Sequence, residues 1–179
     1  HPQHIHINCL EFVVCVIQLA AVIVRLETPL TPSLAAKFPN GIPHLPVLLC
    51  RTDNTAARRW ADKVSSTSER GQQLVGVLAA LLRRTTVGFN CNWIAGVDND
   101  LADFLSRPDL TLSPLARRKQ IYAKDSRLES WNYFRPSREL LLLLESRLCC
   151  VHSPGLLCLP KKLGQFDPAG SIILRSVTL

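Results

Sequence analysis

A chain of 179 residues, 47% hydrophobic and 20% charged, is globular in composition and long enough for one domain with a sizeable core plus a tail or small second unit. Its formal net charge of +7 is concentrated late: residues 108–179 carry eleven basic and six acidic side chains, residues 51–107 eight and six, and residues 1–50 two and two. This leans toward polyanions such as nucleic acid, although a solvated basic face fits it too, and the seven cysteines, without C-x-x-C spacing, make neither a disulfide framework nor a zinc signature.

There is no Met, even at position 1, so the chain reads as a fragment or a processed piece. Cys9, Cys15, Cys50 and Cys91 lie in apolar patterns and read as small buried hydrophobes, which suits a reducing, intracellular setting.

In chain order, His4-x-His6 lacks further ligands at helical or strand spacing and is not read as a metal site. Asn8 is a plausible N-cap, with Glu11 at the capping-box position. Residues 10–26 are almost wholly apolar, broken by Glu11, Gln18 and Arg25, and read as a buried helix rather than a membrane span or signal peptide. Strand competes there because of Val13, Val14, Val16 and Ile17. Residues 28–46 hold five prolines and an Asn-Gly, and form a loop.

Val47 to Cys50 then reads as a buried strand, ending in Thr52-Asp53-Asn54 and passing into a helix over about 55–64. Carboxylates at the C-terminal ends of such strands stand where ligands bind in open α/β sheets, but Asp and Asn are also helix caps. After Ser65–Ser68, a helix over about 69–84 presents Leu74, Val77, Leu78, Leu81 and Leu82 on one face, with Arg83 and Arg84 suiting the dipole at its end. Val87, Phe89, Cys91 and Trp93 alternate with polar residues and Gly88 as a half-buried strand. Gly96 turns the chain, and Asp98 or Asn99 starts a short helix that carries Asp103 and stops at Arg107-Pro108; Asp98 and Asp100 read as caps of this helix rather than metal ligands. A basic helix over 113–124 and a leucine-rich helix over 136–150, with Pro136 at N1, come next. The Pro- and Gly-rich stretch from Pro154 reads as linker. Trp60, Trp93 and Trp131 read as packing residues, since no basic–aromatic interleaving surrounds them.

Three acidic residues at element ends, with cations nearby, form the kind of set a two-metal nuclease needs, because Mg²⁺ prefers hard oxygen ligands. The stretches Ile7-Asn8-x-Leu10-Glu11, Thr52-Asp53-Asn54 and Gly96-x-x-Asn99-x-x-Ala102-Asp103-x-Leu105-Ser106-Arg107 resemble the RNase H-like domain of retrotransposon reverse transcriptases, of the gypsy-type and DIRS-like elements. The resemblance covers residues 5–107. It implies an α/β fold, an incomplete RNase H-like domain over 1–107 whose mixed sheet is flanked by helices and lacks its first strands, followed by a helical, linker-like tail over 108–179. It further implies that Glu11, Asp53 and Asp103 hold Mg²⁺ (or Mn²⁺) and converge to cleave the RNA strand of an RNA–DNA hybrid. Arg51, Asn54, Arg58 and Arg59 would contact nucleic acid, and the remainder of a reverse transcriptase polyprotein would be the protein partner. The family's first aspartate has no counterpart in this chain, so the piece by itself is expected to be inactive. The alternative is a non-catalytic nucleic-acid-binding or interaction remnant of the same fold. The 136–150 helix is expected to belong to a separate module and to make few contacts with residues 5–107.

Overall fold

The computed structural model describes residues 5–27, 47–106, 111–130, 133–149 and 157–167. The readings of His4, the proline-rich loop, Arg107-Pro108, Trp131 and the last twelve residues fall outside them. The architecture is mixed α/β, with six α-helices and two separate two-stranded sheets among the described residues, rather than one mixed sheet. The chain divides into two compact units, His1–Ile94 with Pro136–Gly164, and Ala95–Arg135 with Gln165–Leu179. These cut the chain elsewhere than at residue 107.

The first unit is organised around helix α1, Ile7–Glu27. Its 21 residues include no Gly or Pro, and tertiary burial overrides the weak helix preference of its β-branched residues. Cys9, Phe12, Cys15, Val16, Leu19, Ala20 and Ile23 form a buried stripe at helical spacing. By length and composition α1 is apolar enough to cross a membrane. Here that stripe is buried as the helix packs on the two helices and the strand that follow it. Asn8 is not its cap. The helix starts one residue earlier, with the Cys9 N–H donating to the His6 carbonyl at 2.9 Å and the Asn8 N–H to His6 Nδ1 at 3.2 Å. The Asn8 side chain makes a tertiary bond instead, which removes Glu11 from the capping-box position.

Strand β1, Val47–Thr52, pairs in parallel with β2, Gly88–Trp93, in a register that sets Cys50 opposite Cys91 and Thr52 opposite Trp93. Parallel strands need a long crossover, supplied here by α2, Thr55–Lys63, and α3, Glu69–Arg84. Asn54 caps α2, accepting from the N–H groups of Ala56 and Ala57. The helix closes on Val64 at φ 47°, a left-handed conformation uncommon for a β-branched residue. Ser68 caps α3 by accepting from the Gly71 N–H. A Cβ on Gly71 would collide with Ser66 and lie 2.6 Å from Ser68 Oγ, so glycine is what lets this serine turn fold against the helix. The α3 face is buried at Leu74, Val75, Val77, Leu78 and Leu81, with Leu82 at its half-buried edge.

Helix α6 is Arg138–Cys149, with Leu140, Leu144 and Leu148 buried at i, i+4, i+8. It packs on α3, contrary to the expectation of few contacts, and Arg147 Nη1 donates to Gln73 Oε1 at 2.8 Å. Packing there takes Leu140, Leu144 and Leu148 out of water, which is what an apolar stripe gains by finding a partner face. Pro136 is not at N1, because Ser137 takes the cap, accepting from the Leu140 N–H at 3.1 Å. Nor is the stretch after Pro154 linker throughout: Leu163 is buried and its carbonyl accepts from the Ser137 N–H at 2.8 Å. Arg84 does more than complement a dipole, as its guanidinium binds the Glu27 carboxylate and the carbonyls of Pro160 and Lys161.

The second unit contains α4, Asp100–Ser106, preceded by a 3₁₀ turn over Gly96–Asp98, and α5, Pro114–Lys124, capped by Ser113. Strands β3, Tyr133–Pro136, and β4, Gly164–Asp167, pair with each other. Phe134 packs on Phe166 with centroids 5.2 Å apart, and Arg135 pairs with Asp167 at 2.6 Å. These contacts explain why Gly164–Asp167 is strand despite its glycine and proline neighbours.

Candidate functional site

The C-terminal end of β1 is stitched to the start of α1. Asn54 Nδ2 donates to Asn8 Oδ1 at 2.8 Å while its Oδ1 caps α2, so one side chain joins three elements. Glu11 lies three residues beyond Asn8 and shares its face of the helix. Asp53 lies one residue before Asn54. Both carboxylate residues are half-buried. Trp93 closes the strand end from the β2 side, its Nε1 donating to the Asp53 carbonyl at 3.1 Å.

Beside this corner is an open groove of about 920 Å³, lined by the start of α1, one face of α2 and the serine turn into α3. Its charged lining is cationic on balance: Arg59, Lys63 and Arg70 against Glu69. Arg59 and Lys63 are four apart on α2 and face the same way. The N-terminus of α3 opens into the same space and adds its positive end. Burial pushes the Cys9 thiol in the groove wall upward in pKa, with the Arg70 charge opposing.

Of the four residues expected to meet nucleic acid, Arg59 lines the groove. Arg51 is exposed on β1, and Arg58 pairs with Asp62 at 3.3 Å. Asn54 is engaged in capping and stitching. Lys63 and Arg70 escaped the sequence reading, although the i, i+4 spacing of Arg59 and Lys63 was a usable signal.

Asp103 belongs to the second unit, half-buried on α4, with its N–H donating to the Asn99 carbonyl at 3.0 Å. Asn99 therefore holds the cap position of α4, while Asp98 belongs to the 3₁₀ turn. Asp100 pairs with Lys124 at 2.7 Å, and that hydrogen bond and charge hold its carboxyl below the usual range.

Among the described residues, one group of three ligand-type side chains comes close enough together to hold a metal ion, and its donors are sulfur. Cys15 of α1, Cys50 of β1 and Cys91 of β2 place their Sγ atoms within 4.8 Å of one another, each 1% exposed. Cys50 Sγ lies 3.4 Å from Cys15 Sγ and donates to Gln18 Oε1 at 2.9 Å. Hydrogen bonds from Cys15 and Cys50 draw the Cys91 pKa well down. Cys15 is driven up first by its hydrogen bond with Cys50, then by that with Cys91 and by burial. Cys50 also rises: its bond with Cys15 pulls it down, but its bond with Cys91 and burial prevail. The sequence reading had these three residues buried but separate.

Comparisons with protein-family models, with curated proteins and with solved structures give no significant match.

Proposed function

We propose that this chain is an RNase H-like segment of a retroelement reverse transcriptase, which binds RNA–DNA hybrid and supplies acidic ligands to a two-metal nuclease site. The supporting observation is the Asn8–Asn54 hydrogen bond, which brings the Glu11 face of α1 to the strand end that carries Asp53. The donors at this corner are carboxylate and amide oxygens, hard ligands of the kind Mg²⁺ and Mn²⁺ take. Glu11 and Asp53 are the residues of the first unit that would hold the ions. Bound there, the ions would activate a water and stabilise the leaving oxygen of a phosphodiester. The groove cations Arg59, Lys63 and Arg70 suit the adjoining phosphates. The setting is intracellular, and the remainder of the polyprotein is the partner.

A second reading, a nucleic-acid-binding remnant without catalysis, draws support from the groove, whose cations need no metal to attract a phosphate backbone. One experiment separates the two. Fluorescence anisotropy with a labelled hybrid, in EDTA and in Mg²⁺, is read together with cleavage on a gel. The nuclease reading expects Mg²⁺ to tighten binding, Asp53→Asn to remove that gain, and cleavage barely above background while the first aspartate is lacking. Binding that is equal in EDTA and Mg²⁺, without cleavage, selects the remnant. No binding at low salt overturns both.

A further inference from the structure

The thiol triad lies outside everything the nuclease reading uses. Its three cysteines come from three elements far apart in sequence, meet in the core of one compact unit, and point their sulfur atoms at a common centre. Cys50 and Cys91 are held together by the register of the parallel pair, and Cys15 reaches them from α1. Three sulfurs around a zinc ion at about 2.3 Å each would sit about 3.8 Å apart in tetrahedral geometry. The triad, at 3.4 Å for one pair and within 4.8 Å for all, meets this with changes of no more than about 1 Å in any sulfur–sulfur distance.

We propose that Cys15, Cys50 and Cys91 form a binding site for a thiophilic d¹⁰ metal ion. Soft thiolate donors select zinc(II) and copper(I) over Mg²⁺, so this site is chemically distinct from the carboxylate corner. The two ions differ in what they ask of the fourth position. Zinc is almost always four-coordinate in structural sites, and Gln18 Oε1, already 2.9 Å from Cys50 Sγ, supplies an oxygen donor. Copper(I) is satisfied by three sulfurs. Charge favours zinc: three thiolates leave a net charge of about −1 around Zn²⁺ and about −2 around Cu⁺, and buried charge is costly. The ion replaces the thiol protons, which pass to solvent, and no electron is transferred. Because it ties α1 to both strands, binding also opposes unfolding of the first unit.

The test is a metal titration of the full chain, reduced and stripped with a chelator. Co²⁺ serves as the spectroscopic probe, and Zn²⁺ and Cu⁺ are measured by competition with a chromophoric chelator. One equivalent of Co²⁺ should produce thiolate-to-cobalt charge transfer and the d–d bands of a tetrahedral site, and Zn²⁺ should displace it. A variant with Cys9→Ala, Cys149→Ser, Cys150→Ser and Cys158→Ser should bind unchanged. Cys50→Ala and Cys91→Ala should weaken binding more than about a hundredfold, beyond the 10–100-fold that loss of an outer-shell partner costs. Gln18→Ala should weaken Zn²⁺ and spare Cu⁺; the reverse preference, with Cu⁺ tighter in the parent chain, names copper as the ion. Absence of the charge-transfer band in the parent chain overturns the proposal, as does its loss in the four-cysteine variant while circular dichroism shows the fold intact. These last two readouts decide the matter even if Cys50→Ala fails to fold.

Discussion

Helix α1 and strand β1 meet twice in this molecule, with opposite chemistry each time. At the rim Asn54 bonds Asn8, with the half-buried Asp53 next to the one in the chain and the half-buried Glu11 a turn beyond the other. Four residues along the helix and three along the strand, in the core, stand Cys15 and Cys50, joined by Cys91. The helical period keeps Glu11 and Cys15 on one side of α1. The strand separates its two residues differently: Cys50 lies inside the pleat, while Asp53 lies just past its end, where the chain turns to be capped by Asn54. Depth sorts the donors, because a carboxylate stripped of water is far more costly than a thiol. One pair of elements thus presents a hard, solvent-facing corner and a soft, dry centre.

Undocking α1 should have the largest effect. Phe12 is fully buried and meets the edge of Trp60 with centroids 5.8 Å apart. Phe12→Ala should cost about 3–5 kcal/mol in chemical denaturation and abolish both the thiol cluster and the acidic corner. A more selective break is Asn54→Ala, which removes the α2 cap and the stitch to Asn8. Loss of such a cap typically costs about 0.5–2 kcal/mol. The Mg²⁺ effect on hybrid binding should vanish while Co²⁺ binding to the thiols survives.

Two substitutions should have smaller effects. Val64→Gly relieves a left-handed backbone strain of about 1–2 kcal/mol, partly offset by the entropy of glycine, and should raise Tm by a few degrees with both sites unchanged. Arg59→Ala and Lys63→Ala should leave Tm nearly unaltered. Each should lower the slope of log hybrid affinity against log salt by about 0.9, the share of one phosphate contact.

The local elements were legible in the sequence. The helices that start at Thr55, Glu69 and Pro114 follow Asn54, Ser68 and Ser113, each an ordinary cap, and periodicity identified the α3 face. Where the reading went astray, a tertiary partner had displaced a local one. Asn8 bonds Asn54 rather than capping its own helix, and Ser137 rather than Pro136 starts α6. Helix α6 looked detachable because nothing local to Leu140, Leu144 and Leu148 reveals that α3 receives them. For the same reason the thiol triad was invisible: Cys50 and Cys91 are neighbours only through the parallel register, which sequence spacing does not encode.

In the proposed reading, Glu11 and Asp53 would share one divalent-metal site. Paramagnetic broadening by Mn²⁺ in an amide correlation spectrum of the isotope-labelled chain tests it most directly. Broadening at low Mn²⁺ should be confined to the amides around Glu11 and around Asp53, and be lost together from both places in Glu11→Gln and in Asp53→Asn. Broadening of one stretch without the other, or of neither, would contradict it.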